Sequence, residues 1–162
     1  MFLDYKLPSN SDLWFFLPLF FLLLFFSLVQ ANQLTVTDGD TIRIGDERIR
    51  FSGIDAPEIK QKCLYQEIEF KCGEFSKNLL IEKIANHKIN CIRESKDQYG
   101  RTLAECFVGK KSLSSYLVRE GYAFAYRKYS NKFIADEEYA QRNKNGMWSM
   151  EFIFPWDFRK NK

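Results

Sequence analysis

Four carboxylates lie at the two ends of a predicted β-hairpin. Asp38 and Asp40 precede its first strand, and Asp55 and Glu58 follow its second strand. Because a hairpin returns the chain to where it began, we expect Asp40 and Asp55 to lie side by side. Two neighbouring carboxylates repel each other unless a cation joins them, and oxygen ligands favour a hard cation such as Ca²⁺ or Mg²⁺. The pattern predicts a sparse metal site of Asp40, Asp55 and the backbone carbonyl of Ala56, completed by water.

Each half of this pattern also has a purely structural explanation. Asp-Gly is a common turn dipeptide, and the stretch Asp55-Ala56-Pro57-Glu58 suits a strand that runs out into a loop. The presence of both halves on one hairpin favours the metal site.

Two arginines supply positive charge near these carboxylates. Arg50 lies on the second hairpin strand, and Arg101 ends a polar loop. A guanidinium offers a rigid fork that matches phosphate oxygens, although a surface ion pair would explain either arginine alone. Strand alternation places Arg50 and Asp55 on opposite faces, and a bulge at Ser52-Gly53 would change that parity, so their relation stays open.

The chain has a single histidine, His87. This argues against a Ser-His-Asp triad, two-histidine ribonuclease chemistry and histidine-ligated zinc. Carboxylates, arginines and a hard cation remain, and this set suits phosphodiester hydrolysis. His87 itself follows a predicted helix, where we expect it to be solvated.

Sequence periodicity predicts the elements that position these residues. Strands are expected at 33–37, 41–44, 48–54, 88–94 and 102–108, and helices at 73–86, 112–120 and 132–145. The polar stretch 59–72 predicts a surface loop beside the metal site. Five strands with about three packed helices predict an α+β, mainly β, fold, the five-stranded OB-fold barrel, which commonly binds oligonucleotides.

The four cysteines favour disulfides over a zinc site, because none are spaced as Cys-x-x-Cys. Three pairings are possible. We expect Cys63–Cys72, a local clamp, and Cys91–Cys106, which would join the two strands of a second antiparallel hairpin.

The apolar run Leu13–Val29 predicts that residues 1–31 are a signal peptide cleaved after Ala31. An uncleaved membrane anchor is the alternative, because about 18 apolar residues can span a bilayer. Residues 32–162 then form one exported domain, periplasmic or secreted. Residues 1–31 hold one lysine and two aspartates, so their removal raises the formal net charge from +3 to +4. This mild basicity suits a polyanionic partner.

Three ordered motifs resemble those of the staphylococcal nuclease (thermonuclease) family, and the resemblance covers essentially all of residues 32–162. The motifs are Asp38-Gly39-Asp40-Thr41, Arg50-Phe51-Ser52-Gly53-Ile54-Asp55-Ala56-Pro57-Glu58 and Asp97-Gln98-Tyr99-Gly100-Arg101. The likeness continues through Leu117-Val118-Arg119-Glu120-Gly121 and Asn145-Gly146-Met147-Trp148.

This resemblance implies an OB-fold enzyme that cleaves DNA and RNA with Ca²⁺ and leaves 3′-phosphate ends, and we expect a monomer. By matched position, Asp40, Asp55 and the Ala56 carbonyl resemble the Ca²⁺ ligands. Glu58 resembles the general base, and Arg50 and Arg101 resemble the phosphate-binding pair. The residues that resemble the nucleotide contacts are Tyr99, Tyr126 and Tyr129, although a core role suits the last two equally well.

The chain departs from the family pattern in three ways. Ala56 replaces a threonine, residues 59–72 do not follow the loop of the founding enzyme, and the cysteines resemble an exported branch of the family. Two other functions stay open: an OB-fold that binds single-stranded nucleic acid without cutting it, and a membrane-tethered interaction domain. The first is disfavoured because Asp40, Asp55 and Glu58 would repel a phosphate backbone in the absence of a cation.

Overall fold

The computed structural model describes residues 33–161, and the predicted leader, residues 1–31, lies outside them. The strands are β1 (Leu34–Asp38), β2 (Thr41–Ile44), β3 (Glu47–Phe51), β4 (Ile54–Asp55), β5 (Cys63–Tyr65), β6 (Ile68–Phe70), β7 (Ile89–Lys96), β8 (Thr102–Val108), β9 (Lys111–Ser112) and β10 (Phe124–Ala125). The helices are α1 (Cys72–Ile84), α2 (Leu113–Arg119), α3 (Ile134–Asn143), a 3-10 turn (Gly146–Ser149) and α4 (Pro155–Lys160).

The main sheet confirms the predicted fold class. Its strands follow the order β1-β2-β3-β8-β7, and β9 pairs with β8. The β3–β8 pair is parallel, whereas β1–β2, β2–β3 and β7–β8 are antiparallel. With the short strands set aside, this is the strand order of the OB-fold, α+β and mainly β.

Three features differ from the sequence prediction, and the first is the predicted strand 48–54, which is divided into β3 and β4. The stretch 59–72 is not an irregular loop, because β5 and β6 form a hairpin within it. Its turn residues, Gln66 and Glu67, both have positive φ angles of 50° and 66°. Such turns normally contain glycine or asparagine, so the usual sequence signal is missing here. Within residues 33–161 there are four α-helices rather than three, because α4 follows the predicted set.

Two apolar clusters hold the domain together. The larger one packs α1 and α2 on the sheet through fully buried side chains such as Ile42, Ile49, Leu80 and Leu117. The smaller one surrounds Phe124 and includes the first disulfide as well as Met147, Trp148, Phe152, Phe154 and Trp156. The second cluster fastens the C-terminal segment to the body. No helix within residues 33–161 is long and apolar enough to cross a membrane.

Both expected disulfides are present, Cys63–Cys72 and Cys91–Cys106. Cys91 lies directly opposite Cys106 in the β7–β8 register. Cys63 begins β5 and Cys72 begins α1, so the first disulfide closes the β5–β6 hairpin at its base.

Candidate active site

Arg50 joins the two predicted metal-binding carboxylates. Its Nη1 donates to Oδ1 of Asp40, and its Nη2 donates to Oδ1 of Asp55 at 2.7 Å. Asp40 is 2% exposed and Asp55 is fully buried. The two carboxylates are therefore held apart by the width of one guanidinium fork, as neighbours in one site.

A turn at Ser52-Gly53 explains why Arg50 and Asp55 meet, which strand alternation left open. The predicted strand 48–54 is broken there into β3 and β4. Gly53 has a φ of +74°, and a Cβ at this position would lie 3.1 Å from the Ser130 Cβ. The turn reverses the alternation, so Asp55 reaches the same side as Arg50.

Three further hydrogen bonds hold Asp40 in place. The Thr41 hydroxyl donates to its Oδ1 at 3.0 Å, and the Ala56 N–H donates to its Oδ2 at 2.7 Å. Its own N–H donates to Oδ1 of Asp38 at 3.1 Å. Burial raises the pKa of Asp40 from 3.8 to about 6, although the Arg50 charge acts in the opposite direction. Burial thus outweighs the Arg50 charge and disfavours the ionised form of Asp40, which a further cation would favour.

Arg159 was not expected in the site. Its Nη2 donates to Oδ2 of Asp55 at 2.7 Å, and its Nη1 donates to Oε1 of Glu58 at 2.9 Å. Burial raises the pKa of Asp55, and the hydrogen bond from Arg159 opposes that rise. Arg159 lies in a short basic stretch near the chain end that matches no motif, so the sequence gave no signal by which it could have been found.

Glu58 lies on a tight turn that Gln61 stabilises. The Gln61 N–H donates to the Glu58 carbonyl at 2.7 Å, and the Glu58 N–H donates to Oε1 of Gln61 at 3.2 Å. The Gln61 Nε2 also donates to the Ile153 carbonyl at 2.6 Å. Gly73 packs directly behind the turn, because a Cβ there would lie 1.8 Å from the Glu58 carbonyl oxygen. The Glu58 backbone is thus fixed by α1, the first disulfide and the C-terminal segment.

Asp97 orients Arg101 in the loop between β7 and β8. Its Oδ1 accepts the backbone N–H groups of Tyr99 and Arg101, both at 2.9 Å, and its Oδ2 accepts the Arg101 Nε at 2.7 Å. Burial acts to raise the pKa of Asp97, but these hydrogen bonds and the Arg101 charge lower it overall. An ionised Asp97 therefore holds the guanidinium from its Nε side and leaves the terminal nitrogens of Arg101 for another partner.

The parallel β3–β8 pair places the two arginines in one cleft. Arg50 on β3 pairs with Leu103 on β8, and Arg101 precedes Leu103 by two residues. The cleft has a volume of about 1070 Å³. Its lining includes the predicted site residues Asp40, Arg50, Ala56, Glu58, Tyr99, Arg101, Tyr126 and Tyr129, as well as Lys96, Lys132 and Arg159.

The three tyrosines predicted to contact the nucleotide differ in solvent exposure and in how their rings are packed. Tyr99 and Tyr129 are 70% and 69% exposed at the cleft, although the Arg101 guanidinium lies 5.6 Å from the Tyr99 ring centroid and the Lys128 Nζ lies 5.3 Å from that of Tyr129. Tyr126 stacks on Trp156 with ring centroids 5.6 Å apart and lies edge-on to Tyr129 at 4.9 Å. Tyr99 and Tyr129 are thus better placed than Tyr126 to stack on a base.

The donor chemistry of the site fits a hard cation. Within residues 33–161 no group of three histidine, cysteine, aspartate or glutamate side chains is arranged to hold a metal ion. Asp40 and Asp55 provide two buried carboxylates, and the Ala56 N–H bond to Asp40 brings the adjacent backbone to the same place. Oxygen donors of this kind, with water completing the shell, suit Ca²⁺.

Comparison with known proteins matches most of the described residues to one family. Residues 48–150 match the family described as staphylococcal nuclease homologue. The matched stretch contains Arg50, Asp55, Glu58 and Arg101, whereas Asp40 and Arg159 lie outside it.

Three similar proteins illustrate the relationship. The chain is 32% identical to a thermonuclease of Staphylococcus hyicus over 137 residues, which are 75% of this chain and 80% of the relative. It is 29% identical to an uncharacterized endonuclease of Haemophilus influenzae over 143 residues, 79% of this chain and 75% of the relative. It is 33% identical to the succinoglycan biosynthesis protein ExoI of Rhizobium meliloti over 122 residues, 72% of this chain but only 63% of that protein.

Proposed function

Because this chain belongs to the staphylococcal nuclease family, we propose that it is a Ca²⁺-dependent, sequence-nonspecific nuclease that hydrolyses phosphodiester bonds in DNA and RNA. The observation that carries the proposal is the cleft that Arg50, Arg101, Asp40 and Glu58 line together. Asp55 does not line this cleft, but it is hydrogen-bonded to Arg50. A binding module has no need to bury two carboxylates beside its phosphate-binding groups.

In the proposed reaction, Arg50 and Arg101 bind the scissile phosphate. Their guanidinium groups stabilise the negative charge that accumulates on its oxygens in the transition state. Asp40 and Asp55 fix Arg50 from one side, and Asp97 fixes Arg101. The arginines are thus oriented before substrate arrives, which lowers the cost of reaching the transition state.

Glu58 is the proposed general base. It accepts a proton from the attacking water as the new bond from the water oxygen to phosphorus forms. The bond from phosphorus to the 5′-oxygen breaks, and that oxygen takes a proton from solvent. The products are a 3′-phosphate and a 5′-hydroxyl. The Glu58 side chain is partly exposed, about one-third, which gives water access to it.

Asp40, Asp55 and the Ala56 carbonyl are the proposed Ca²⁺ ligands. When bound, the ion would neutralise charge on the phosphate that the arginines also contact. A site with two carboxylates and several waters is expected to bind Ca²⁺ weakly, with a dissociation constant of roughly 10⁻⁴–10⁻³ M, as in extracellular modules.

Export is part of the proposal. Two disulfides are typical of proteins that fold in an oxidising compartment. We propose cleavage of the leader after Ala31, and mass spectrometry of the exported protein should then find an N-terminus at Asn32. Retention of residues 1–31 would instead support the membrane-anchored form.

The test of the nuclease proposal is cleavage of long single-stranded and double-stranded DNA, and of RNA, by the purified protein in millimolar Ca²⁺ and in excess chelator. We expect fragments only with Ca²⁺, and their 5′-hydroxyl ends should accept a kinase label without prior phosphatase treatment. Retained binding of single strands without cleavage would refute the nuclease and favour a binding module.

A further inference from the structure

The positively charged side chain of Arg159 contacts two carboxylates of the candidate active site, Asp55 and Glu58. Its Nη2 donates to Asp55 Oδ2 at 2.7 Å, and its Nη1 reaches Asp55 Oδ1 at 3.2 Å and Glu58 Oε1 at 2.9 Å. One guanidinium therefore contacts a proposed metal ligand and the proposed general base at once.

The fold holds Arg159 in this place. Helix α4 begins with the buried Pro155, and Trp156 stacks on Phe154 at 4.6 Å and on Tyr126 at 5.6 Å. Phe154 in turn packs against Phe124 at 5.0 Å. Anchored by these aromatic contacts, α4 presents Arg159 to Asp55 across 104 positions of sequence.

The hydrogen-bonding capacity of Asp55 shows what Arg159 displaces. Its Oδ1 accepts from both Arg50 and Arg159, which fills its two lone pairs, and its Oδ2 accepts from Arg159. A metal ion bound to Asp55 must take a lone pair on one of these oxygens while a fixed positive charge lies beside it. Arg159 and a divalent cation thus oppose each other at Asp55, by occupancy and by charge.

We propose that Arg159 is an internal counter-cation that neutralises Asp55 and Glu58 while the metal is absent, competes with Ca²⁺ for Asp55 and lowers the affinity of the site for the ion. When Ca²⁺ binds, Arg159 releases Asp55 and Glu58 together, so the general base becomes free only once the metal site is filled. This inference rests on the proposed function in two respects, the assignment of Asp40 and Asp55 as Ca²⁺ ligands and that of Glu58 as the general base.

The test is calorimetric titration of the purified protein with Ca²⁺ in the absence of nucleic acid. Arg159→Gln should bind Ca²⁺ about tenfold more tightly, the effect of removing one unit charge a few ångströms from a divalent ion in a water-like medium. The matched control is Lys160→Gln, because Lys160 is the next residue of α4 and pairs with Asp157 of the same helix at 2.9 Å. This control should change the Ca²⁺ affinity by less than about twofold, as expected for an exposed charge.

Two further readouts separate competition from a merely structural role. Arg159→Lys keeps the charge but not the fork, so its Ca²⁺ affinity should lie between those of the wild type and Arg159→Gln. In excess chelator, Arg159→Gln should melt at a lower temperature than the wild type, and saturating Ca²⁺ should narrow that gap. A circular dichroism spectrum matching the wild type verifies that each variant is folded, and Arg159→Lys carries the test if Arg159→Gln does not fold.

The possible results are distinguishable. Unchanged or weaker Ca²⁺ binding by folded Arg159→Gln and Arg159→Lys overturns the counter-cation, and leaves the nuclease proposal standing if the wild type cleaves with Ca²⁺. Absence of Ca²⁺ binding by the wild type and by every variant overturns both the metal assignment and this inference.

Discussion

Gln61→Leu tests how the protein positions Glu58. Gln61 is 1% exposed, and its side chain bonds the Glu58 N–H at 3.2 Å and the Ile153 carbonyl at 2.6 Å. Leucine has a similar volume, so the substitution removes two hydrogen bonds without creating a large cavity. The backbone bond from the Gln61 N–H to the Glu58 carbonyl remains.

The expected loss follows from those two bonds. Each contributes about 1 kcal/mol net, so the free energy of unfolding should fall by about 2 kcal/mol. This corresponds to a decrease in melting temperature of about 6–10 °C for a domain of this size. Because the turn that carries Glu58 loses its link to Ile153, kcat should fall by about 10- to 100-fold even at temperatures where the variant is fully folded.

Urea unfolding curves and steady-state cleavage kinetics measure the two effects separately. Gln141→Leu, an exposed glutamine on α3, is the matched control and should leave both unchanged. A loss of stability below about 0.5 kcal/mol would refute the hydrogen-bond argument. A stability loss with unchanged kcat would show that Gln61 supports the chain but does not position the base.

Three other predictions follow from the site. Glu58→Gln should lower kcat by about 10²–10⁴-fold while the fold survives. The control Glu82→Gln, at an exposed position, should leave kcat unchanged. Near-wild-type turnover by Glu58→Gln would remove Glu58 from the mechanism. Arg101→Lys should lower kcat/KM by at least about tenfold, because an ammonium group cannot hydrogen-bond Asp97 and a phosphate at the same time as a guanidinium fork does. Wild-type kinetics would mean that Arg101 forms only a surface ion pair with Asp97. In excess chelator, the folded state retains the Asp40 proton between about pH 4 and pH 6, where the unfolded chain has lost it. The free energy of unfolding should therefore fall with rising pH in that window by on the order of 3 kcal/mol. Asp40→Asn removes this contribution, so its stability relative to the wild type should rise with pH in urea titrations, and a pH-independent difference would contradict the buried-carboxylate argument.

Local sequence patterns predicted much of the fold. They also indicated Asp40, Arg50, Glu58 and Arg101, which line one cleft in the structure. The pairing of Cys91 with Cys106 follows from an antiparallel hairpin, in which residues equidistant from the turn face each other, and the structure confirms it. The start of α2 is also fixed locally, because the Ser112 hydroxyl accepts the Ser115 N–H at 3.3 Å.

The remaining features depend on contacts that no local pattern encodes. Arg159 reaches Asp55 only because the aromatic cluster around Phe124 docks α4 on the body. The relation of Arg50 to Asp55 depends on the φ of Gly53: Ser52-Gly53 indicated a candidate bulge, but the sequence alone did not say whether the chain turns there.

The parallel β3–β8 pair has a consequence for the newly made chain. It aligns Ile49 with Thr102, so the two proposed phosphate-binding arginines belong to segments about fifty positions apart. A tight turn cannot join parallel strands, and pairing at this separation must first overcome the entropy of closing a long loop. Such contacts form slowly. A polypeptide whose sheet is incomplete can thus contain all three motifs without the assembled cleft that the proposed nuclease activity requires.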